Sequence, residues 1–502
     1  MQTNVTYWLD QTAERYPQKT GFVDENKRMT FAEIRNQALQ TATVLVREDM
    51  FRKPVAVYMN KSVDELTVFL GAAYSGNFYS PIDAEMPAMR VDKILETLEP
   101  AAVITEKELW EKGKLDIGDA KLLFIEDIVR TDRDETAVYA QRSKSCDVDL
   151  LYVLFTSGST GIPKGVTICH QSVIDYIDWV EECFSIDEHT VFGNQAPFYF
   201  DNSVLDIYTT VKTGAALYLI PHTLFSWPIR LLEYLDRNQI NTIFWVPSAM
   251  ILLSKLKALD KMDLNGKLRT ILFAGEVMPN KHLNVWRQHI PDAVYANLYG
   301  PTEITVDCTY YIVDREFADE EPLPIGRTLP NTDILILNGD DQQAENGEIG
   351  ELCVRGTSLA KGYYHNPEKT REAFVQNPLN PYYTELIYRT GDLVRTNELG
   401  EILYVGRKDF QIKHRGHRIE LGEIETAISS IEGISMSCCL YDDVKNRIVV
   451  FLEEDVTLSA LTEKLKDLIP QYMLPDRVVR VEKMPLNANG KIDRVLLKNM
   501  LS

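Results

Sequence analysis

An α/β protein of more than one domain is the fold class this sequence predicts, and three observations carry that expectation. The chain has 502 residues, well beyond the roughly 250–300 at which a single hydrophobic core stops growing. Short β-branched runs alternate with amphipathic stretches over much of its length, and a segment between about 323 and 406 changes texture altogether.

Taken in order, VAVYM (55–59), LLYVLFT (150–156), ALYLI (216–220), NTIFWV (241–246) and RTILFAG (269–275) are short runs apolar at successive positions. Strands buried on both faces read this way. NSVLDIYTTVKT (202–213) repeats its apolar residues at helical spacing, so largely parallel sheets covered by helices follow. TDILILNGDDQQAENGEIGELCVRG (332–356) alternates short strands with Gly and Asn turns, which predicts a small antiparallel sheet or barrel. Beyond about 408 the pattern is mixed again. GEIETAISSI (422–431) and ALTEKLKDLI (460–469) are helical by period and flank strand-like IVVFLEE (448–454). A domain boundary is therefore expected between Gly406 and Asp409. No internal repeat or low-complexity segment is visible.

Hydrophobic residues make up 45% and charged residues 25%, an ordinary globular composition. Lys plus Arg number 53 and Asp plus Glu 74, a net charge of −21. Nonspecific attraction to nucleic acid or an anionic membrane is disfavoured. The amino-terminal MQTNVTYWLDQTAERYPQ has neither a basic nor an apolar leader region, and no run approaches the length of a membrane-spanning helix. A cytoplasmic protein without membrane insertion is expected. The seven cysteines are scattered and lack paired CxxC spacing, so they read as reduced and mostly buried thiols.

The strongest local signal is LFTSGSTGIPKGV (154–166), where a buried strand runs into a loop carrying Thr156, Ser157, Gly158, Ser159, Thr160, Gly161, Lys164 and Gly165. Glycines let backbone N–H groups approach an anion, hydroxyls add donors, and the lysine supplies charge, so the loop suits phosphate. It is not a Walker A loop, because GxxxxGK[ST] is absent.

With this loop the sequence resembles the adenylate-forming superfamily of acyl-CoA synthetases, luciferases and the adenylation domains of nonribosomal peptide synthesis. The resemblance covers nearly the whole chain. MTFAEIRNQA (29–38), SGNFYSPIDAEMPAMR (75–90), NQAPFYFDNSVLDIY (194–208), LYGPTE (298–303), GEIGELCVRG (347–356), YRTGDL (388–393), GRKDFQIKHRGHRIELGEIE (406–425) and NANGKIDR (487–494) match its pattern in order. The nearest likeness is to freestanding amino-acid adenylation enzymes and D-alanine:carrier-protein ligases. The implied architecture is a large N-terminal domain (1–406) of two α/β sheet subdomains plus a small β-barrel, a hinge (407–409) and a small mobile α+β C-terminal lid (410–502).

The resemblance also implies roles. Carboxylate attack on the α-phosphate of ATP needs charge neutralisation and positioning more than a base. Thr156, Ser157, Gly158, Ser159, Thr160 and Lys164 are expected to hold the leaving phosphates, and Glu303 to bind a bridging Mg²⁺. Tyr299 is expected to stack on adenine, with Gly275, Glu276, Gly300 and Thr302 bordering the nucleotide. Asp392 is expected to accept both ribose hydroxyls, and Arg407 to contact ribose or phosphate. Lys491 matches the lysine that bridges the substrate carboxylate and the α-phosphate. Asp409 matches the hinge about which the small domain would rotate, exchanging Lys491 for the GRKDFQIKHRGHRIE face. Part of the basic stretch Lys408, Lys413, His414, Arg415, His417 and Arg418 would then meet an acidic carrier surface.

Asp201 stands where amino-acid adenylation domains pair an aspartate with the substrate ammonium, a partner that a buried cation needs. Asn202, Leu205, Trp245, Leu272, Ala274, Leu298, Val306 and Asp307 match the remaining pocket positions, whose bulk implies a small side chain. D-alanine ligases usually carry cysteine where Ala274 stands and a small apolar residue where Asp307 stands. Asp307 suits a hydroxyl or a second amine, which leaves D-alanine, alanine, serine and small basic amino acids open. No further domain follows Arg494, so the expected acceptor is the phosphopantetheine thiol of a separate carrier protein, with coenzyme A as the competing thiol. An acyl- or aryl-CoA ligase and a non-catalytic nucleotide-binding protein are the alternatives.

Overall fold

The computed structural model describes residues 2–113, 115–157, 163–408, 411–434, 436–485 and 492–501. Two large, mostly parallel sheets dominate. The first has nine strands in the order Arg327–Thr328, Thr309–Ile312, Val294–Tyr299, Thr270–Phe273, Thr242–Trp245, Val191–Asn194, Ala216–Leu219, Thr20–Val23, Arg28–Thr30. Its central strands run parallel, and both outer ends add antiparallel pairs. The second has six strands: Lys121–Phe124, Ala102–Thr105, Pro54–Met59, Phe78–Asp83, Leu150–Thr156 and Lys164–Cys169.

Alternation along the central strands of the first sheet divides its two cores. Phe244, Leu272, Ala296 and Leu298 face the helices Asn202–Thr213 and His170–Phe184. Ile243, Trp245, Ile271, Phe273 and Tyr295 face a second apolar cluster with Leu231, Leu253 and Trp286. Successive side chains of a strand point to opposite faces, so a shift of one position changes core.

The segment expected as a small sheet or barrel is a five-stranded antiparallel sheet built on Leu386–Thr396. Its strand order is open, so among the described residues it takes the sheet form of the two expected. The C-terminal segment begins with a hairpin, Gln411–His414 paired to His417–Glu420, and continues into the helix Leu421–Ser429. A three-stranded sheet of Ser437–Asp442, Arg447–Leu452 and Arg477–Arg480 carries its own core of Ile424, Ile428, Val450, Leu461 and Met473.

Carboxyl ends of parallel strands are where open α/β sheets place ligands. Here the chain leaves Asn194, Trp245, Phe273 and Tyr299 into the segments that carry Asp201, Val246, Gly275 and Glu303. No helix among the described residues is long and apolar enough to cross a membrane.

Candidate active site

The site is built around one loop. Between the antiparallel strands Val294–Tyr299 and Thr309–Ile312 the chain turns through Gly300 to Cys308. A Cβ at Gly300 would stand 2.4 Å from the Val306 carbonyl oxygen, so only glycine lets the loop fold back so closely. Thr305 and Val306 both take left-handed backbone angles, φ 60° and 69°. Such angles cost a β-branched residue on the order of 1–3 kcal/mol and persist only where the surroundings enforce them.

Glu303 is fully buried, and its two carboxylate oxygens accept from Tyr363 Oη at 2.7 Å and Arg418 Nη1 at 2.6 Å. Burial alone would raise its pKa. Arg418, Lys164 and the Tyr363 hydroxyl outweigh it and hold the carboxyl down at about 2. Among the described residues of the phosphate loop, Thr156 and Lys164 are register partners across its neck. Ser157 Oγ donates to the Arg418 carbonyl at 2.8 Å. Lys164 Nζ lies 3.8 Å from Glu420 and over the Tyr363 ring. Gly158, Ser159 and Thr160 lie outside the described residues.

Asp392 is also buried, with Arg407 Nη1 at 2.8 Å on one oxygen and the Tyr299 hydroxyl on the other. The Lys413 ammonium stands 4.9 Å from the Tyr299 ring centroid. The ring face assigned to adenine is thus covered by the hairpin in this arrangement. Gly275 is left-handed (φ 92°), and its neighbour Glu276 accepts from the Ser248 N–H at 2.8 Å.

The acyl side has a different character. Asp201 precedes the helix Asn202–Thr213 but makes no side-chain capping bond. Burial raises its carboxyl to about 6, against the Thr302 hydroxyl and the Asn202 N–H, which favour its charged form. Leu205, Leu272, Ala274, Leu298 and Val306 lie together in the core on this face. The Asn202 side-chain nitrogen is buried without a hydrogen-bond partner among the described residues.

Trp245 is a correction. It belongs to the opposite face of the sheet, where its indole N–H donates to the Gly193 carbonyl and its ring meets Phe225 edge-on. Phe244, one residue earlier, turns towards Leu272 and Leu298 instead. Asp307 is 1% exposed and accepts from Tyr176 Oη at 2.7 Å. Burial, reinforced by the Asp201 charge, pushes it up to about 8. Tyr176 and Tyr363 come from segments remote in sequence, and no motif pointed to them.

Much of the basic stretch is withdrawn from solvent. Only Lys408 and Arg415 are strongly exposed. Arg418 pairs with Glu303, His414 is buried, and His417 stacks on Tyr472 beside Phe200. Arg90 and Glu423 form a buried ion pair between the six-stranded region and the C-terminal helix. Asp409 and Lys491 lie outside the described residues.

Buried Glu303 and Asp392, each held by an arginine, stand with the buried carboxyl of Asp201 beside the strand ends of a two-sheet α/β fold, where such folds place ligands. Residues 9–364 match the family described as AMP-binding enzyme, and the chain belongs to that family. A D-alanine--D-alanyl carrier protein ligase of Lacticaseibacillus casei is 30% identical over 98% of this chain and 98% of its own length. Tyrocidine synthase 1 of Brevibacillus parabrevis is 32% identical over 97% of this chain, which spans 44% of that longer protein. The Vibrio cholerae adenylation domain AlmE, solved with glycyl-adenosine-5'-phosphate, superposes with a TM-score of 0.83 at 22% identity, covering 100% of this chain and 98% of that one. Within its family the protein is an amino-acid-adenylating ligase.

Proposed function

We propose that this protein joins a small amino acid to AMP, releasing pyrophosphate, and passes the acyl group to the phosphopantetheine thiol of a separate carrier protein. The observation that carries the reading is Asp201: a buried carboxylate ahead of the helix Asn202–Thr213, hydrogen-bonded by Thr302 and Asn202 and with no ion pair among the described residues. A buried ammonium is the ligand such a group accommodates. Fatty or aryl acids offer no such charge, which weighs against an acyl- or aryl-CoA ligase.

In the first half-reaction Thr156, Ser157, Gly158, Ser159, Thr160 and Lys164 hold the leaving phosphates. Asp392 and Arg407 take the ribose side, and Tyr299, Gly275, Glu276, Gly300 and Thr302 border the base. Lys491 offsets charge developing at the α-phosphate. Glu303 fits Mg²⁺, because its oxygens stay ionised and are hard ligands, provided that Arg418 withdraws. When bound, the ion would neutralise phosphate charge. Residues 1–406 and 410–502 act as body and lid about a hinge at 407–409, centred on Asp409. The hairpin arrangement seen here, with Lys413 and Arg418 inserted, suits the thiol-transfer half.

Pyrophosphate exchange with a panel of L- and D-amino acids tests the reading. Exchange with small amino acids is expected, whereas activity confined to non-amino carboxylic acids with coenzyme A overturns it. Lys491→Ala is expected to lower exchange by about 10²–10³-fold while sparing transfer from supplied aminoacyl-AMP. Equal loss of both half-reactions removes Lys491 from this role.

A further inference from the structure

The loop that carries Asp201 is gripped from behind by a segment that none of the site motifs includes. Between the strand Val191–Asn194 and the helix Asn202–Thr213 the chain passes through 195–201. On the footing of the amino-acid adenylation proposed above, this loop aims the carboxylate that meets the substrate ammonium. Asp201 makes no side-chain capping bond, so its aim is set by the backbone leading to it. That backbone is fixed at its base. Asn194 Nδ2 donates to Asp206 Oδ2 at 2.8 Å, tying the end of the strand to the helix, and the Ile220 N–H donates to the Asn194 carbonyl at 3.1 Å.

The grip comes from the other large sheet. Lys61 is half-buried and stands between the strand Pro54–Met59 and the helix Val63–Tyr74. Its ammonium donates to the Gln195 carbonyl at 3.3 Å and lies 5.5 Å from the centroid of the Phe198 ring. The helix that follows presents Phe69 edge-on to Phe198, with ring centroids 5.8 Å apart. One cation and one ring therefore hold the loop at two points, and a cation on an aromatic face gains strength as water is withdrawn.

Charge keeps the ammonium in place. Asp206 and Glu65 are both buried, and both lie within electrostatic reach of Lys61. Burial raises the Asp206 carboxyl to about 7, against the Asn194 amide and the Lys61 charge. Asp206 Oδ1 and Asn194 Oδ1 are buried with no hydrogen-bond partner among the described residues. Drawing an ammonium into such surroundings costs solvation, which the Asp206 charge offsets. What the arrangement secures is the position of the Gln195 carbonyl.

We propose that Lys61 is a positioning residue of the adenylation half-reaction, holding the loop 195–200 so that Asp201 faces the substrate ammonium. It acts through Asp201 and not on the nucleotide. Its signature is a raised KM for the amino acid at an unchanged KM for ATP.

The experiment is pyrophosphate exchange by the full chain with glycine, serine and both enantiomers of alanine, taking whichever exchanges fastest. Lys61→Met should raise the KM for that amino acid about tenfold, with the KM for ATP within about twofold of wild type. Lys61→Arg keeps the charge and the donors and should recover most of the loss. Because Lys61→Met strands a buried carboxylate and lowers the melting midpoint, the double variant Lys61→Met/Asp206→Asn separates charge balance from grip. An amide at position 206 can still accept from Asn194, so the melting midpoint should return towards wild type while the amino-acid KM stays raised. Recovery of that KM in the double variant, equal rises in both KM values, or no change in Lys61→Met overturns the positioning role and leaves the adenylation reading standing. A wild-type protein that exchanges with no amino acid in a wider panel overturns the adenylation reading itself.

Discussion

Glu303 and Asp307 are carboxylates on one loop, four residues apart and both buried, yet they are driven in opposite directions. Glu303 looks into the nucleotide side, where Arg418 and Lys164 keep it ionised down to about 2. Asp307 looks into the acyl side, where its close partner is a neutral phenol and another carboxylate stands within electrostatic reach, so it holds its proton up to about 8. Burial is common to both; the difference is the supply of cations. One half of the site is arranged to stabilise negative charge, and the other waits for a substrate to bring positive charge or a donor.

The largest effect should come from removing the charge that makes the nucleotide side what it is. Glu303→Gln leaves Arg418 buried without its partner, a loss worth about 3–5 kcal/mol. Pyrophosphate exchange should fall by at least about 10²-fold and the thermal midpoint should drop, both read on one preparation. An exchange rate within a few-fold of wild type would mean that the two halves do not differ in the way described.

Asp201→Asn probes the acyl half at its most polar point. Its kcat/KM for the amino acid should fall about 10²-fold, with the KM for ATP little altered. Because Asp201 is raised to about 6, its charged form prevails above that pH. Wild-type kcat/KM for the amino acid should therefore decline as pH falls below about 6, and a pH series should show that limb missing in the variant.

Phe244→Ala and Trp245→Ala sharpen the contrast between the sheet faces. Each should cost about 3–5 kcal/mol of stability in denaturant melts, but only Phe244→Ala should shift exchange towards longer side chains. The last contrast is in stability against pH. Asp307 has a folded pKa raised from 3.8 to about 8, so its contribution is complete below the unfolded value and is lost as pH rises through the folded one. Asp307→Asn should flatten the decline in melting temperature between about pH 4 and pH 8.

The sheets were legible in the sequence, because strand burial leaves local patterns. Glu303, Asp392 and Asp201, which the motifs single out, are all buried. What misled was register. Trp245 and Phe244 are adjacent in an unbroken apolar run, and nothing in such a run says which face each will take until the strand is set among its neighbours. Tyr176 and Tyr363 could not be read at all, since their partners lie 131 and 60 residues away. The basic stretch was readable as charge, but its burial against Glu303 and Tyr299 depends on how the C-terminal segment docks. Asp409 and Lys491 rest on sequence alone.

The seam between the C-terminal segment and the rest of the protein joins aromatic contacts of His417 and Tyr472 with Phe200 to ion pairs and hydrogen bonds: Arg90 with Glu423, Arg418 with Glu303, Lys164 with Glu420, Ser157 with a carbonyl. Groups of that kind regain water readily when parted, and a buried ion pair contributes orientation more than adhesion. Parted, the seam would expose these charged groups together with the Phe200, His417 and Tyr472 rings.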